Sequence, residues 1–118
     1  MANLEALREY GVDTDEGLAY CADDPEFYEE MLGEFLSEGE GRLVDLRTFF
    51  ETHDWKSYAI CAHSVKSTSR MIGAKALSER ARELELAGKA EDAAAVEGAH
   101  AAFLAEYAAL LNRLRAAL

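Results

Sequence analysis

The residues at positions 62–74 carry the groups in this chain best suited to covalent chemistry. They read Ala-His-Ser-Val-Lys-Ser-Thr-Ser-Arg-Met-Ile-Gly-Ala. The neutral imidazole of His63 is nucleophilic near pH 7 and can form a covalent bond with an electrophilic group. Lys66 and Ser67 follow three and four residues later, so on a helix both lie one turn from His63. An ammonium group there stabilises negative charge on a modified imidazole.

Helical periodicity separates this segment into two faces. At about 100° per residue, one set of side chains lies opposite His63 and is predicted to form a buried stripe. This set is Tyr58, Cys61, Val65, Ser69 and Ile72. A second set shares the side of His63 and is predicted to be open to a partner. This set is Lys56, Ala59, Ile60, Lys66, Ser67 and Arg70. An exposed apolar residue such as Ile60 indicates contact with another molecule.

Charge is distributed unevenly around this segment. The chain has 12 Lys and Arg against 23 Asp and Glu, a net charge of −11. No acidic residue lies between Asp54 and Glu79, where four basic residues occur. These are Lys56, Lys66, Arg70 and Lys75. The sequence therefore predicts a cationic, carboxylate-free surface around the histidine, which would attract an acidic partner.

The elements that position this surface are predicted to be helices. Half of the residues are apolar, only one is proline, and Ala, Leu and Glu predominate. N-cap residues and apolar periodicity predict one short helix and four longer ones. Their approximate ranges are 13–21, 24–51, 54–73, 75–87 and 92–118. The short connections favour a single all-α domain that spans residues 1–118. We expect an up-and-down antiparallel four-helix bundle with a short additional N-terminal helix.

Inward-facing positions follow from three- and four-residue spacing. In the first long helix they are Phe27, Met31, Phe35, Leu43, Leu46 and Phe50. In the last two helices they are Leu77, Ala81, Leu84, Val96, Phe103, Tyr107, Leu110 and Leu114. Gly39 and Gly41 are predicted to kink the first long helix or to admit a close neighbour. Gly88 is predicted to end the helix that begins near residue 75.

The spacing of His63, Lys66, Ser67 and Gly73 resembles the signature of histidine phosphotransfer (HPt) domains. In that family the histidine is followed by Lys at the third position, a small residue at the fourth and Gly at the tenth. Helix boundaries at Asp24-Pro25-Glu26, Asp54-Trp55 and Gly73-Ala74 also resemble those of the family. The resemblance covers residues 12–118.

This resemblance implies a phosphorelay intermediate. His63 would accept a phosphoryl group at its distal ring nitrogen from a receiver-domain aspartate or a hybrid sensor kinase and pass it to a response regulator. Lys66 would be its electrostatic partner, the Ser67 hydroxyl would contact the phosphate, and Gly73 would end the helix. Serine at position 67 departs from the commonest family residue, glycine, and adds bulk to the docking face. Mg²⁺ would be held by the receiver, and this chain would hold no cofactor or metal.

Other features limit the function classes. The sequence has no Gly-rich phosphate loop and no room for an ATP-binding domain, so autokinase activity is not expected. Four basic residues on an acidic chain are too few to bind the phosphate backbone of a nucleic acid, so nucleic-acid binding is not expected. There is no signal peptide and no apolar run long enough to span a bilayer, so we expect a cytoplasmic protein. Cys21 and Cys61 are expected to be reduced thiols, and the family implies a monomer.

The sequence permits three other interpretations. Glu97 and His100 have the ExxH spacing of di-iron bundles, but the second ExxH that such a site requires is missing, which favours two surface residues. His53, beside Asp54, is interpreted as a loop or helix-end residue. A helical adaptor that binds receiver or kinase domains without phosphorylation is the second alternative. An enzyme with its own turnover is the third, but no paired catalytic carboxylates or cofactor loop support it.

Overall fold

The computed structural model describes residues 2–118, and this part of the chain is all-helical, without a strand. Two short helices come first, α1 (Leu4–Tyr10) and α2 (Thr14–Tyr20). Four long helices follow: α3 (Pro25–Glu51), α4 (Trp55–Met71), α5 (Lys75–Lys89) and α6 (Ala93–Ala117). The all-helical class predicted from the sequence is confirmed.

Short polar side chains determine where most helices begin. An Asn or Asp side chain accepts a hydrogen bond from a first-turn backbone N–H at the start of five helices, satisfying donors that have no helical partner. The caps are Asn3, Asp13, Asp24, Asp54 and Asp92. Helix α5 begins at Lys75 without such a side-chain bond, directly after the turn at Gly73. The predicted starts at Asp24, Asp54 and Asp92 are confirmed.

The predicted helices differ from the structure in two respects. Helix α1 was not predicted, although Asn3 caps it and Gly11 ends it in a left-handed conformation. Helix α5 does not stop at Gly88 but continues to Lys89. Gly88 lies inside the helix because α4 approaches there: a Cβ at this position would contact the Trp55 carbonyl oxygen and Ala59. The glycine is required by close packing of two helices rather than by helix termination.

The long helices pack around a shared apolar core. α4 packs against α3 and α5, and α6 packs against α5 and α3. Gly39 allows α3 to approach Leu111 of α6, because a Cβ there would overlap that leucine, whereas Gly41 has open space around it. The close neighbour predicted for Gly39 is therefore confirmed, and the one considered for Gly41 is absent.

Most predicted core positions are confirmed, with one error near the start of α3. All the inward positions predicted for α5 and α6 are buried, as are Phe35, Leu43 and Leu46 of α3. Phe27, however, is exposed, and Tyr28 is buried in its place. The Tyr28 hydroxyl donates a hydrogen bond of 2.7 Å to the carbonyl oxygen of Ile72, which anchors the start of α3 to the end of α4. A polar tip that finds an acceptor allows the tyrosine to be buried there.

The turn between α4 and α5 depends on Gly73. Its φ of +87° lies in a region that favours glycine. Its carbonyl oxygen accepts a hydrogen bond of 2.9 Å from the Asp13 backbone N–H, and a Cβ on Gly73 would overlap the Asp13 carbonyl oxygen. The turn that follows the His63 helix is therefore closed by the segment leading into α2.

Replacing Gly73 with alanine tests this turn. We expect Gly73→Ala to lower the free energy of unfolding by about 2–4 kcal/mol. The alanine would have to adopt a left-handed backbone conformation, and its Cβ would overlap the Asp13 backbone. Gly41→Ala is the matched control and should raise stability by about 0.5–1 kcal/mol, because this helical glycine has free space. Chemical denaturation measures both. Equal stability of Gly73→Ala and the wild type would contradict the described turn.

Candidate functional site

Helix α4 presents His63 to solvent, as its periodicity predicted. Tyr58, Val65 and Ser69 on the opposite face are buried, and Ile72 just beyond the helix is buried with them. The His63 side chain is 57% exposed. The predicted orientation of the helix is confirmed, and Cys61 at the edge of the stripe is partly buried.

A buried carboxylate on α5 holds the imidazole of His63. Glu85 is only 2% exposed, and its Oε2 lies 2.7 Å from His63 Nδ1. Its Oε1 accepts a hydrogen bond of 2.7 Å from Lys66 Nζ, and Lys89 Nζ lies 3.0 Å from Oε2. One carboxylate therefore joins three nitrogen groups from two helices.

These contacts keep Glu85 ionised. Burial by itself raises the pKa of this carboxyl, but the hydrogen bonds from Lys66, Lys89 and His63 outweigh burial and lower the pKa from 4.5 to about 2. The ionised form is the one that can accept all three hydrogen bonds. Glu85 therefore acts as a fixed negative charge beneath the exposed histidine.

The bond to Glu85 assigns different roles to the two nitrogens of His63. An ionised carboxylate only accepts hydrogen bonds, so Nδ1 must carry the proton that is donated to it. In the neutral ring, the lone pair then belongs to Nε2. The arrangement holds a nucleophilic nitrogen on the side of the ring away from Glu85.

Sequence reasoning missed Glu85 and Lys89 and predicted a surface free of carboxylates around His63. That prediction is wrong, because α5 packs closely on α4 and brings Glu85 to the histidine although 22 residues separate them. A signal was present in the sequence: Glu85 lies four residues after Ala81, on the predicted inward stripe of α5. A charged residue at such a position requires a partner.

A groove of about 580 Å³ lies beside His63 between α4 and α5. Lys56, Ile60 and Lys89 contribute to its lining together with His63. Ile60 is 70% exposed, as predicted for a contact residue. Ala59 corrects the prediction of a fully open face: it is 3% exposed and lies against Gly88, so it belongs to the groove floor.

The predicted cationic character holds for α4 and α5 together, but much of the charge is paired. Residues 55–89 contain seven basic and three acidic residues, a net of +4, which leaves −15 for the rest of the chain. Lys75 is bound by Asp13 at 3.0 Å and Glu16 at 2.5 Å. Arg70 donates to the Tyr20 hydroxyl, while Lys56 and Ser67 are exposed on the His63 side of α4.

His100 faces the interior more than predicted. Its Nδ1 lies 2.8 Å from the Tyr58 hydroxyl, and its ring stacks on Phe50 with centroids 3.8 Å apart. Burial lowers the pKa of His100, as does the charge of Arg47. Glu97 is exposed, as predicted, but the interpretation of His100 as a surface residue is wrong because α3 and α4 pack against it.

Some structural features bear on ligands and membranes. Within residues 2–118, no group of three or more His, Cys, Asp or Glu side chains is arranged to hold a metal ion. Cys21 and Cys61 are free thiols. No helix in the described part of the chain is long and apolar enough to cross a bilayer.

Comparison with known families identifies the class of protein to which the chain belongs. The model of the Hpt domain family matches residues 30–117, from early α3 to the end of α6. The chain therefore belongs to the Hpt domain family, whose members are phosphotransfer carriers of two-component phosphorelays rather than kinases and interact with receiver domains and kinases. Searches against curated proteins and against solved structures return no match. Helix α2 lies outside the matched range, although the resemblance in sequence begins near residue 12.

Acid titration tests the buried carboxylate. Because the folded-state pKa of Glu85 is depressed, its contribution to stability is full above about pH 4.5 and is lost as pH falls toward 2. We expect Glu85→Gln to cost about 2 kcal/mol at pH 7 and almost nothing near pH 2. Denaturant unfolding between pH 7 and pH 2 measures whether the free energies of unfolding of Glu85→Gln and the wild type converge. Glu83→Gln, at an exposed position on the same helix, should follow the wild-type curve, and a pH-independent difference for Glu85→Gln would refute the assignment.

Proposed function

We propose that this protein is a phosphorelay intermediate whose phosphoacceptor is His63. The observation that carries the proposal is the exposed imidazole fixed through Nδ1 to buried Glu85, in a chain that belongs to the Hpt family. A histidine held in this way has the exposure that a protein donor requires and a defined nucleophilic atom. Domain membership supports the carrier role, and the geometry of the site supports His63 as its centre.

The proposed transfer is a displacement at phosphorus. The lone pair of His63 Nε2 attacks the phosphoryl group of an aspartyl phosphate, an N–P bond forms, and the P–O bond to the aspartate breaks to release its carboxylate. The Nδ1 proton stays on the ring, hydrogen-bonded to Glu85, so the positive charge that develops on the imidazole lies beside a fixed negative one. The reverse displacement returns the group to a second aspartate.

Lys66 and Lys89 support the phosphorylated form. Both ammonium groups bind Glu85 and therefore lie on the same carboxylate as the histidine that receives the phosphate. Lys66 is one turn after His63, and Lys89 approaches from α5 with a more exposed side chain. A near-dianionic phosphate on Nε2 gains from both charges. Ser67, exposed one turn away, can donate its hydroxyl to a phosphate oxygen.

The proposed partners are receiver domains, with a sensor or hybrid kinase as the initial source of the phosphoryl group. A receiver holds its aspartate among carboxylates, and the net charge of +4 on residues 55–89 complements that surface. We assign Mg²⁺ to the receiver, whose carboxylates and phosphate suit that ion. Lys56, Ile60 and Arg70 would contact the partner around His63.

The finer architecture also belongs to this proposal. We infer that residues 1–118 form one HPt unit in which α3 to α6 are an antiparallel up-and-down bundle. The sequential packing of α3, α4, α5 and α6, with α6 returning to α3, supports this topology, as do the short connections. We expect a monomer that works in the cytoplasm without a cofactor of its own.

Substitution of His63 tests the proposal directly. Phosphorylated receiver domains incubated with wild-type protein should produce an acid-labile, base-stable adduct, and His63→Gln should abolish it. The fold should persist, because the side chain is outside the core. Labelled phosphate transfer and circular dichroism measure the two properties. His53→Gln is the matched control and should retain transfer, since His53 lies in the α3–α4 connection against Trp55.

Two outcomes would contradict the proposed function. An adduct that persists in His63→Gln would show that another residue accepts the phosphoryl group. Failure of every phosphorylated receiver to modify folded wild-type protein would favour an adaptor that binds receiver or kinase domains without phosphorylation.

Replacement of Lys66 tests its electrostatic role. Lys66→Ala should slow transfer by about tenfold without preventing it, because one charged hydrogen-bonding group is lost while Lys89 remains. Single-turnover transfer kinetics measure the change. Arg115→Ala makes the same change in net charge on α6, where Arg115 pairs with Glu40, and should leave the rate unaltered. An unchanged rate in Lys66→Ala would remove this residue from the mechanism.

A further inference from the structure

The edge of α2 meets the exposed face of α4 beyond His63. Arg70 Nε donates a hydrogen bond of 3.1 Å to the Tyr20 hydroxyl oxygen, which joins the last residue of α2 to the last turn of α4. Tyr20 still keeps 45% of its surface exposed. An accessible aromatic ring therefore stands at the rim of the face that presents His63.

Helix α2 is held firmly enough to give this ring a defined position. The Asp13 backbone N–H binds the Gly73 carbonyl oxygen, and Lys75 bridges Asp13 and Glu16. Gly17 lies directly on the Tyr28 ring, where a Cβ would not fit. Backbone, ionic and packing contacts thus attach α2 to α3, to the turn after α4 and to the start of α5, so little ordering of α2 is needed when a partner binds.

The size of a protein partner brings Tyr20 into its footprint. A stable interface covers about 800 Å² on each side, equivalent to a disc of about 16 Å radius. Arg70 follows His63 by seven residues, so it lies on nearly the same face of α4 at about 10 Å along the helix axis. A globular domain centred on His63 therefore covers Arg70 and extends to its hydrogen-bond partner Tyr20.

We propose that Tyr20, together with Arg70, is a specificity-determining contact for the receiver domain that exchanges phosphoryl groups with His63. This inference rests on the proposed function. Tyrosine and arginine are among the residue types that most often dominate binding energy at protein interfaces. Tyr20 precedes residue 30, where the family match begins, so this contact comes from a part of the chain that the family pattern does not cover. Receivers that contact Tyr20 and Arg70 are preferred over those that contact only the residues around His63.

Transfer kinetics with Tyr20 variants test the inference. With receivers that phosphorylate the wild type, Tyr20→Ala should raise KM about 5- to 30-fold while kcat stays within about twofold. Tyr20→Phe keeps the ring and loses the hydroxyl acceptor, so its KM should rise only about 2- to 5-fold. Phosphorylation of His63 by phosphoramidate, which needs no docked protein, should continue at the wild-type rate in both variants.

A matched control and three outcomes decide the question. Tyr10→Ala removes another exposed tyrosine, the last residue of α1, whose ring contacts Arg113 of α6. This variant should leave KM unchanged. An unchanged KM in Tyr20→Ala, with transfer to the wild type intact, overturns this inference and leaves the proposed function standing. A joint fall in kcat and in the phosphoramidate rate assigns Tyr20 a structural role and also overturns it. No transfer to the wild type from any receiver overturns both.

Discussion

The buried carboxylate of Glu85 is the interaction on which the site depends. A lone ionised carboxylate in a helix interface carries a large desolvation cost, and here three nitrogen groups offset that cost. The same three contacts orient the imidazole, hold two lysines near it and join α4 to α5. Stability and chemistry are therefore coupled at one residue: whatever keeps Glu85 ionised and buried also keeps His63 Nε2 nucleophilic and exposed.

Glycines make that contact geometrically feasible. Gly88, one turn after Glu85, lets α5 lie directly against Ala59 and the Trp55 carbonyl of α4. Gly73 closes the connection between the two helices and accepts a hydrogen bond from the segment before α2. A Cβ at position 88 would lie 3.0 Å from both the Ala59 Cβ and the Trp55 carbonyl oxygen, so the two helices could not keep this spacing without a small shift. Glycines that take no part in the chemistry thus help to define the geometry of the site.

The sequence was sufficient for five of the six helices in the described part of the chain and for the direction in which His63 points, because these follow from local rules. Asp24, Asp54 and Asp92 cap helices through contacts within one turn, and the α4 stripe depends on periodicity alone. Glu85 was not predicted, because two of its three partners, His63 and Lys66, come from another helix. Phe27 was predicted to face inward but is exposed, for a related reason: the neighbouring Tyr28 is buried, and its hydroxyl finds an acceptor 44 residues away.

The α4–α5 pair and the rest of the chain carry net charges of opposite sign. With +4 on residues 55–89 and −15 elsewhere, the field of the protein does more than attract oppositely charged surfaces. It exerts a torque on an approaching anionic partner and turns the histidine face toward that partner before contact, while the acidic remainder repels misoriented approaches. Mobile ions screen this field over about 10 Å at 0.1 M ionic strength. The ionic composition of the surroundings therefore sets how often an encounter begins in a productive orientation.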